Sequence, residues 1–259
     1  MPFADLKDVR MHYEVSGPEG APVLVFSNSL GTNLSMWDGQ APEFAKKYRV
    51  VRYDKRGHGQ SSAPAGPYTV ERLGRDAIAL LDFLKIDRVH FCGLSIGGQT
   101  GMWLGVNTPE RLNKLALCNT AAKIGTLETW NARIEKVQQG GTKSVADAVL
   151  ERWFTFEFRA SQPAEVTRMR EMIERADTGG YVACCAAVRD FDYRDRVNAI
   201  RAPTLVISGK HDPAATPQDG RYLSEHIPGS RYVELNASHI SNIEAGERFT
   251  AELGGFLEA

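Results

Sequence analysis

Three residues in this chain could together do nucleophilic chemistry. Ser95 lies in Gly93-Leu94-Ser95-Ile96-Gly97, between an apolar strand-like run that ends at Gly93 and a helical run that begins near Ile96. A serine on so sharp a strand-to-helix turn is held in an unfavourable backbone conformation, with its hydroxyl pushed into the open. The flanking glycines bring no Cβ into the crowding. The turn also aims the first helical N–H groups at the space beside the hydroxyl, where an oxyanion can form. A serine hydroxyl is a poor nucleophile at neutral pH and needs a base to take its proton. His239, in Leu235-Asn236-Ala237-Ser238-His239, follows a predicted strand. So does Asp212, in Ser208-Gly209-Lys210-His211-Asp212-Pro213. Histidine has a pKa suited to the base. A carboxylate fixes its tautomer and stabilises the imidazolium that forms.

The other histidines fit less well. His12 and His90 lie within predicted strands and read as structural. His226 sits at a predicted helix end, where a cation is favoured. His211 adjoins Asp212 and points elsewhere if Asp212 faces the site. His58 follows a strand in a Gly-bounded loop and is the one serious rival to His239, but it precedes the serine. Asp219 and Glu234 are weaker rivals to Asp212, since neither immediately follows a strand.

These residues need elements to hold them. Val9–Val15 alternates and reads as a strand. Val23–Phe26 is a short apolar run, as expected of a strand buried on both faces. Further strands are expected at Tyr48–Tyr53, before Ser95, at Lys114–Asn119, at Thr204–Ser208 and at Tyr232–Leu235. Helices are expected from about Thr69 to Leu84, after Ser95, and from about Ile243 to Leu257. Strands alternating with helices predict a mostly parallel sheet with helices on both faces. In such a sheet ligands bind at the carboxyl ends of the strands, where Ser95, Asp212 and His239 all stand.

Residues 121–197 break this rhythm. They hold no clear strand and are rich in aromatics: Trp130, Trp153, Phe154, Phe156 and Phe158. Thr126 can cap a helix running toward Val137, and Ser144-x-x-Asp147 has the pattern of a second helix start. The expectation is a core of residues 1–120 and 198–259 with a helical cap of 121–197 inserted. Most of the aromatics should face a core and a few should line the cavity beneath.

With 259 residues the chain suits one α/β domain carrying an insertion. Its net charge of −1 and the lack of a basic stripe argue against a nucleic-acid partner. No apolar run reaches membrane-spanning length, and the N-terminal residues show no signal-peptide pattern. Cys92, Cys118, Cys184 and Cys185 have no zinc-like spacing and read as reduced, space-filling thiols in a cytoplasm. No metal and no cofactor are expected. The sequence does not give the oligomeric state.

Gly93-Leu94-Ser95-Ile96-Gly97-Gly98, Asp54-Lys55-Arg56-Gly57-His58-Gly59 and Gly209-Lys210-His211-Asp212 resemble the landmarks of the α/β-hydrolases. The order Ser…Asp…His is also that family's order. The resemblance covers nearly the whole chain and implies an α/β-hydrolase fold. The oxyanion donors would be the N–H of Ile96 and that of Leu30, in the loop after Val23–Phe26. Closer in, Ser27-Asn28-Ser29-Leu30-Gly31-Thr32, Leu117-Cys118-Asn119-Thr120-Ala121-Ala122-Lys123-Ile124-Gly125 and Glu151-Arg152-Trp153-Phe154 resemble 3-oxoadipate enol-lactonases. That similarity implies a cofactor-free hydrolase that opens an enol-lactone to 3-oxoadipate in the catabolism of protocatechuate and catechol.

A small carboxylated lactone needs a cation in its cavity. Arg133 is the candidate, three residues after Trp130 on the same helix face, with Lys123 as runner-up and Trp153 as a further wall. Rival activities remain open: an esterase, a cofactor-free haloperoxidase-like enzyme, a carbon–carbon bond hydrolase, or a ligand receptor built on the same fold. Haloalkane dehalogenases and epoxide hydrolases place an Asp at the elbow, and Ser95 argues against both.

Overall fold

The computed structural model describes residues 2–259. Eight strands form one sheet: β1 (Phe3–Asp5), β2 (Arg10–Ser16), β3 (Val23–Ser27), β4 (Arg49–Tyr53), β5 (Val89–Leu94), β6 (Leu112–Cys118), β7 (Thr204–Gly209) and β8 (Arg231–Leu235). Their order is β1-β2-β4-β3-β5-β6-β7-β8. The pairs β1/β2 and β2/β4 are antiparallel, and every later pair is parallel. All six residues of β5 and all six of β7 are buried. That is why the central strands read as unbroken apolar runs rather than alternating ones. Phe3–Asp5 is too short to show a period, and it became a strand only by pairing with Arg10–His12.

The helices are α1 (Ala41–Phe44), α2 (Val70–Phe83), α3 (Ile96–Asn107), α4 (Leu127–Gly140), α5 (Ala146–Trp153), α6 (Phe156–Ser161), α7 (Pro163–Glu174), α8 (Thr178–Asp190), α9 (Pro217–His226), α10 (Ser241–Glu244) and α11 (Gly246–Glu258). Helix α2 begins where Thr69 accepts the Arg72 N–H, and it buries Leu73, Ala77, Leu80 and Leu81 on one stripe. Helix α3 differs: Ile96 through Gly105 are all buried, so it is a core helix beneath the site. The single helix expected from Ile243 to Leu257 is two, α10 and α11, broken at Ala245 (φ −119°, ψ 42°).

Helices α4 to α8 lie between β6 and β7 and form the inserted layer. Thr126 and Thr129 make a reciprocal capping box that starts α4. The second expected helix forms as α5, which begins at Ala146 with Asp147 in its first turn, but Ser144 does not cap it: its Oγ donates to the carbonyls of Gly141 (2.7 Å) and Lys136 (3.0 Å). Ser144 thus closes the end of α4 rather than opening α5. On α5, Ala146, Val149, Leu150 and Trp153 are buried at helical spacing. On α8, Cys184 and Cys185 are both buried, and burial pushes each thiol up to about 12. No described helix is long and apolar enough to cross a membrane.

Candidate active site

Ser95 stands between β5 and α3 with φ 60° and ψ −118°, a conformation that L-residues rarely hold. Its N–H donates to Cys118 O at 2.9 Å, and its carbonyl accepts Thr120 Oγ1 at 2.8 Å, so the turn is clamped by β6. The glycines are required by space. A Cβ on Gly93 would lie 2.1 Å from Gly97 O, and one on Gly97 would lie 2.2 Å from Ser27 O. Neither backbone oxygen can yield, so the pentapeptide is a packing solution that leaves the serine hydroxyl facing a cavity.

That cavity has a volume of about 530 Å³. Ser95 and His239 share it, with Leu30 to one side and cap residues above. His239 Nδ1 lies 2.8 Å from Asp212 Oδ2, with both side chains buried. The carboxylate is held on both oxygens: Oδ1 accepts the N–H groups of Ala214 (2.8 Å) and Ala215 (3.1 Å), and Oδ2 also accepts Asn119 Nδ2 (3.1 Å). With Nδ1 committed to Asp212, His239 has Nε2 left for the cavity. The Ser95 hydroxyl makes no hydrogen bond among the described residues.

The histidine loop is tied to the cap. Arg152 O accepts Ser238 Oγ (2.7 Å) and His239 N (3.4 Å), and Trp153 O accepts Ile240 N (3.0 Å). Glu244 bridges the same two parts. Its Oε2 accepts Ser238 N (2.7 Å), while Oε1 accepts the N–H of Thr155 (3.1 Å) and its hydroxyl.

Leu30 and Ile96 are both buried, and among the described residues neither backbone N–H has a hydrogen-bond acceptor. Ile96 opens α3, where first-turn donors are free by construction. The Leu30 loop is fixed by a set of residues for which sequence reasoning assigned no role. Lys55 Nζ donates to Ser29 O (2.8 Å), Gly31 N donates to His58 Nε2 (2.9 Å), and Leu34 N donates to Asp54 Oδ1 (2.7 Å). Burial lowers the Lys55 ammonium to about 8 and, together with Lys55, holds His58 well below the ordinary histidine value. His58 is therefore the neutral acceptor its hydrogen bond to Gly31 needs. Its partners place it under the Leu30 loop, away from the Ser95 cavity. The Gly-bounded loop that follows β4 was the only sequence signal for this.

In the cap, Arg133 lies 4.9 Å over the Trp130 ring and next to the Tyr181 hydroxyl. Trp130 donates its Nε1–H to Ile124 O at 2.7 Å, which fixes the ring. Arg133, Trp130 and Trp153 all line the cavity. Lys123 does not, and this corrects the expectation. Its ammonium donates to Arg189 O at 2.6 Å, in a separate surface pocket with Arg194 and Asp219. Lys136 and Arg152, which the sequence did not single out, line the cavity instead. No Asp or Glu lines it, and none of its three cations pairs with a carboxylate among the described residues. No cluster of three or more metal-ligating side chains was found among the described residues.

Residues 22–246 match the family model described as the alpha/beta hydrolase fold. The chain belongs to the α/β-hydrolase family. Among its relatives in that family, "3-oxoadipate enol-lactonase 2" of Acinetobacter baylyi is 46% identical over 94% of this chain and 91% of its own length. "3-oxoadipate enol-lactonase 1" of the same organism is 39% identical over 95% of this chain and 92% of its own. Among solved α/β-hydrolases, the enol-lactonase from Burkholderia xenovorans superposes with a TM-score of 0.98 at 47% identity, covering 100% of both chains.

Proposed function

We propose that this α/β-hydrolase opens 3-oxoadipate enol-lactone to 3-oxoadipate, with Ser95 as nucleophile, His239 as base and Asp212 as its partner. The observation that carries the reading is His239, paired with the buried Asp212, sharing one cavity with an elbow serine and an unpaired arginine. Both curated relatives named above carry the enol-lactonase name over nearly their full length.

Ser95 Oγ attacks the lactone carbonyl while His239 Nε2 takes the hydroxyl proton. Asp212 accepts from Nδ1 and stabilises the imidazolium. The tetrahedral oxyanion sits against the N–H groups of Leu30 and Ile96, donors already oriented before charge develops. The ring C–O bond breaks, the enolate leaves and takes the proton from His239, and the enol becomes the ketone. Water then attacks the acyl carbon and gives a proton to His239, the bond between that carbon and Ser95 Oγ breaks, His239 returns the proton to Ser95, and the second carboxylate is released.

The substrate's acetate arm brings a full charge into a confined cavity, where it is costly unless paired. Arg133 is the pairing group. Its guanidinium lies over the Trp130 ring and beside the Tyr181 hydroxyl, and no carboxylate among the described residues pairs with it. A fork already oriented loses less freedom on binding a carboxylate than a free side chain would. The test is ring opening of the enol-lactone by purified protein, followed by the loss of its ultraviolet absorbance. Turnover at kcat/KM of about 10⁴ M⁻¹s⁻¹ or more supports the assignment. Hydrolysis of simple esters with none of the lactone would overturn it.

A further inference from the structure

Asn119 is the first residue after β6 and is fully buried. Its φ of +44° lies in the left-handed region, where asparagine is the commonest occupant after glycine. Its backbone N–H donates to Ile207 O at 2.8 Å, which fixes it to β7. Its side chain does not line the cavity. Instead it makes three hydrogen bonds, one to the acid and one to each flank of His239. Nδ2 donates to Asp212 Oδ2 at 3.1 Å, the oxygen that also lies 2.8 Å from His239 Nδ1. Nδ2 donates as well to Ser238 O at 3.0 Å, one residue before His239. Oδ1 accepts Ser241 Oγ at 2.5 Å, two residues after His239. With oxygens at Asp212 and Ser238 and a hydroxyl at Ser241, this amide orientation satisfies all three contacts.

We propose that Asn119 is a positioning residue that holds Asp212 and the His239 loop in mutual register. The inference rests on the triad reading above. The Asp212 carboxylate can rotate about its last side-chain bond. Ala214 and Ala215 fix Oδ1, and Asn119 is the donor besides His239 that fixes Oδ2. The same amide brackets His239 through Ser238 and Ser241. Losing it removes one bond to the acid and one on each flank of the base together. A misplacement of about 1 Å in such a unit can cost roughly a hundredfold in rate. Because Asn119 meets no substrate, the loss belongs to kcat rather than KM.

Asn119→Gly is the direct test, since glycine accepts the +44° backbone without strain. It is measured with p-nitrophenyl acetate and with the enol-lactone, in the wild-type and the Asp212→Asn backgrounds. We expect kcat to fall roughly tenfold to a hundredfold with KM within about twofold. In the Asp212→Asn background the further loss should be under about threefold, because coupled residues are non-additive. Ser241→Ala removes only the hydroxyl that orients the Asn119 oxygen. It should give a smaller fall that also disappears in the Asp212→Asn background. Equal losses in both backgrounds, a rise in KM alone, or unchanged kcat in both variants would overturn the proposal. If Asp212→Asn itself leaves kcat intact, the triad reading fails and the proposal with it. If Asp212→Asn cripples turnover while Asn119→Gly and Ser241→Ala do not, only the role of Asn119 fails.

Discussion

His58 Nε2 accepts the Gly31 amide at 2.9 Å, one residue beyond Leu30, which lines the cavity. The histidine that competes with His239 in the sequence is thus part of the support for the loop that carries Leu30. Its neutrality has a consequence for stability. Burial first, and Lys55 second, hold its pKa well below the ordinary value. In the unfolded chain it titrates near about 6.5. The folded state then binds fewer protons than the unfolded one as pH falls below that value. Its contribution is fully present above about pH 6.5 and is lost on acidification toward the lowered folded pKa. His90, lowered by burial and by Lys114, adds in the same direction. Melting temperature should therefore fall between pH 7 and pH 5. His58→Gln, which keeps an acceptor and does not titrate, should fall less over the same range. Identical pH dependence in the two proteins would contradict this account.

Asp212 and His239 should behave as one unit with Ser95. Asp212→Asn is expected to lower kcat by about 10⁴, because an amide no longer selects the working tautomer of the imidazole. Adding His239→Ala to Asp212→Asn should cost little beyond His239→Ala alone. Steady-state kinetics of the two single variants and the double variant decides this. Full additivity would separate the two residues functionally.

Arg133→Met should raise KM for the carboxylated lactone by about tenfold or more and change kcat little, since the arm's charge is felt in ground and transition state alike. KM for a neutral ester of similar size should move by less than about twofold. An unchanged KM for the lactone would shift the anchor to Arg152 or Lys136, which face the same cavity. Lys123→Met should leave KM unchanged, because its ammonium is bonded to Arg189 O outside the cavity.

Activity should survive exhaustive dialysis against a chelator. The proposed triad activates the nucleophile without a Lewis acid. Loss of turnover that one divalent ion restores would refute this.

Much of this architecture could be read from strand ends. Ser95 directly follows β5, and Asp212 and His239 stand in the short loops after β7 and β8, positions that a parallel sheet delivers to one edge. What the sequence hid depends on contacts made far along the chain. Phe3–Asp5 is too short for a period and owes its pairing to β2. Nothing in sequence breaks the last helix at Ala245. Arg152 and Lys136 look like ordinary charged residues on amphipathic helices, and only the packing of α4 and α5 over the sheet decides which face meets the cavity. Lys123 was misjudged for the same reason: nearness in sequence to the cap gives no direction for its ammonium. Asn119 reads as one more loop residue until its amide is seen against Asp212 and Ser238.

The central claim is that a serine at the elbow opens a carboxylated enol-lactone. Single-turnover and steady-state ring opening of 3-oxoadipate enol-lactone by wild-type protein and by Ser95→Ala tests it most directly. The account predicts efficient opening by the wild type and a loss of roughly four to six decades in kcat for a normally folded Ser95→Ala. Near-normal turnover by Ser95→Ala, or a wild type inert toward the lactone, would contradict it.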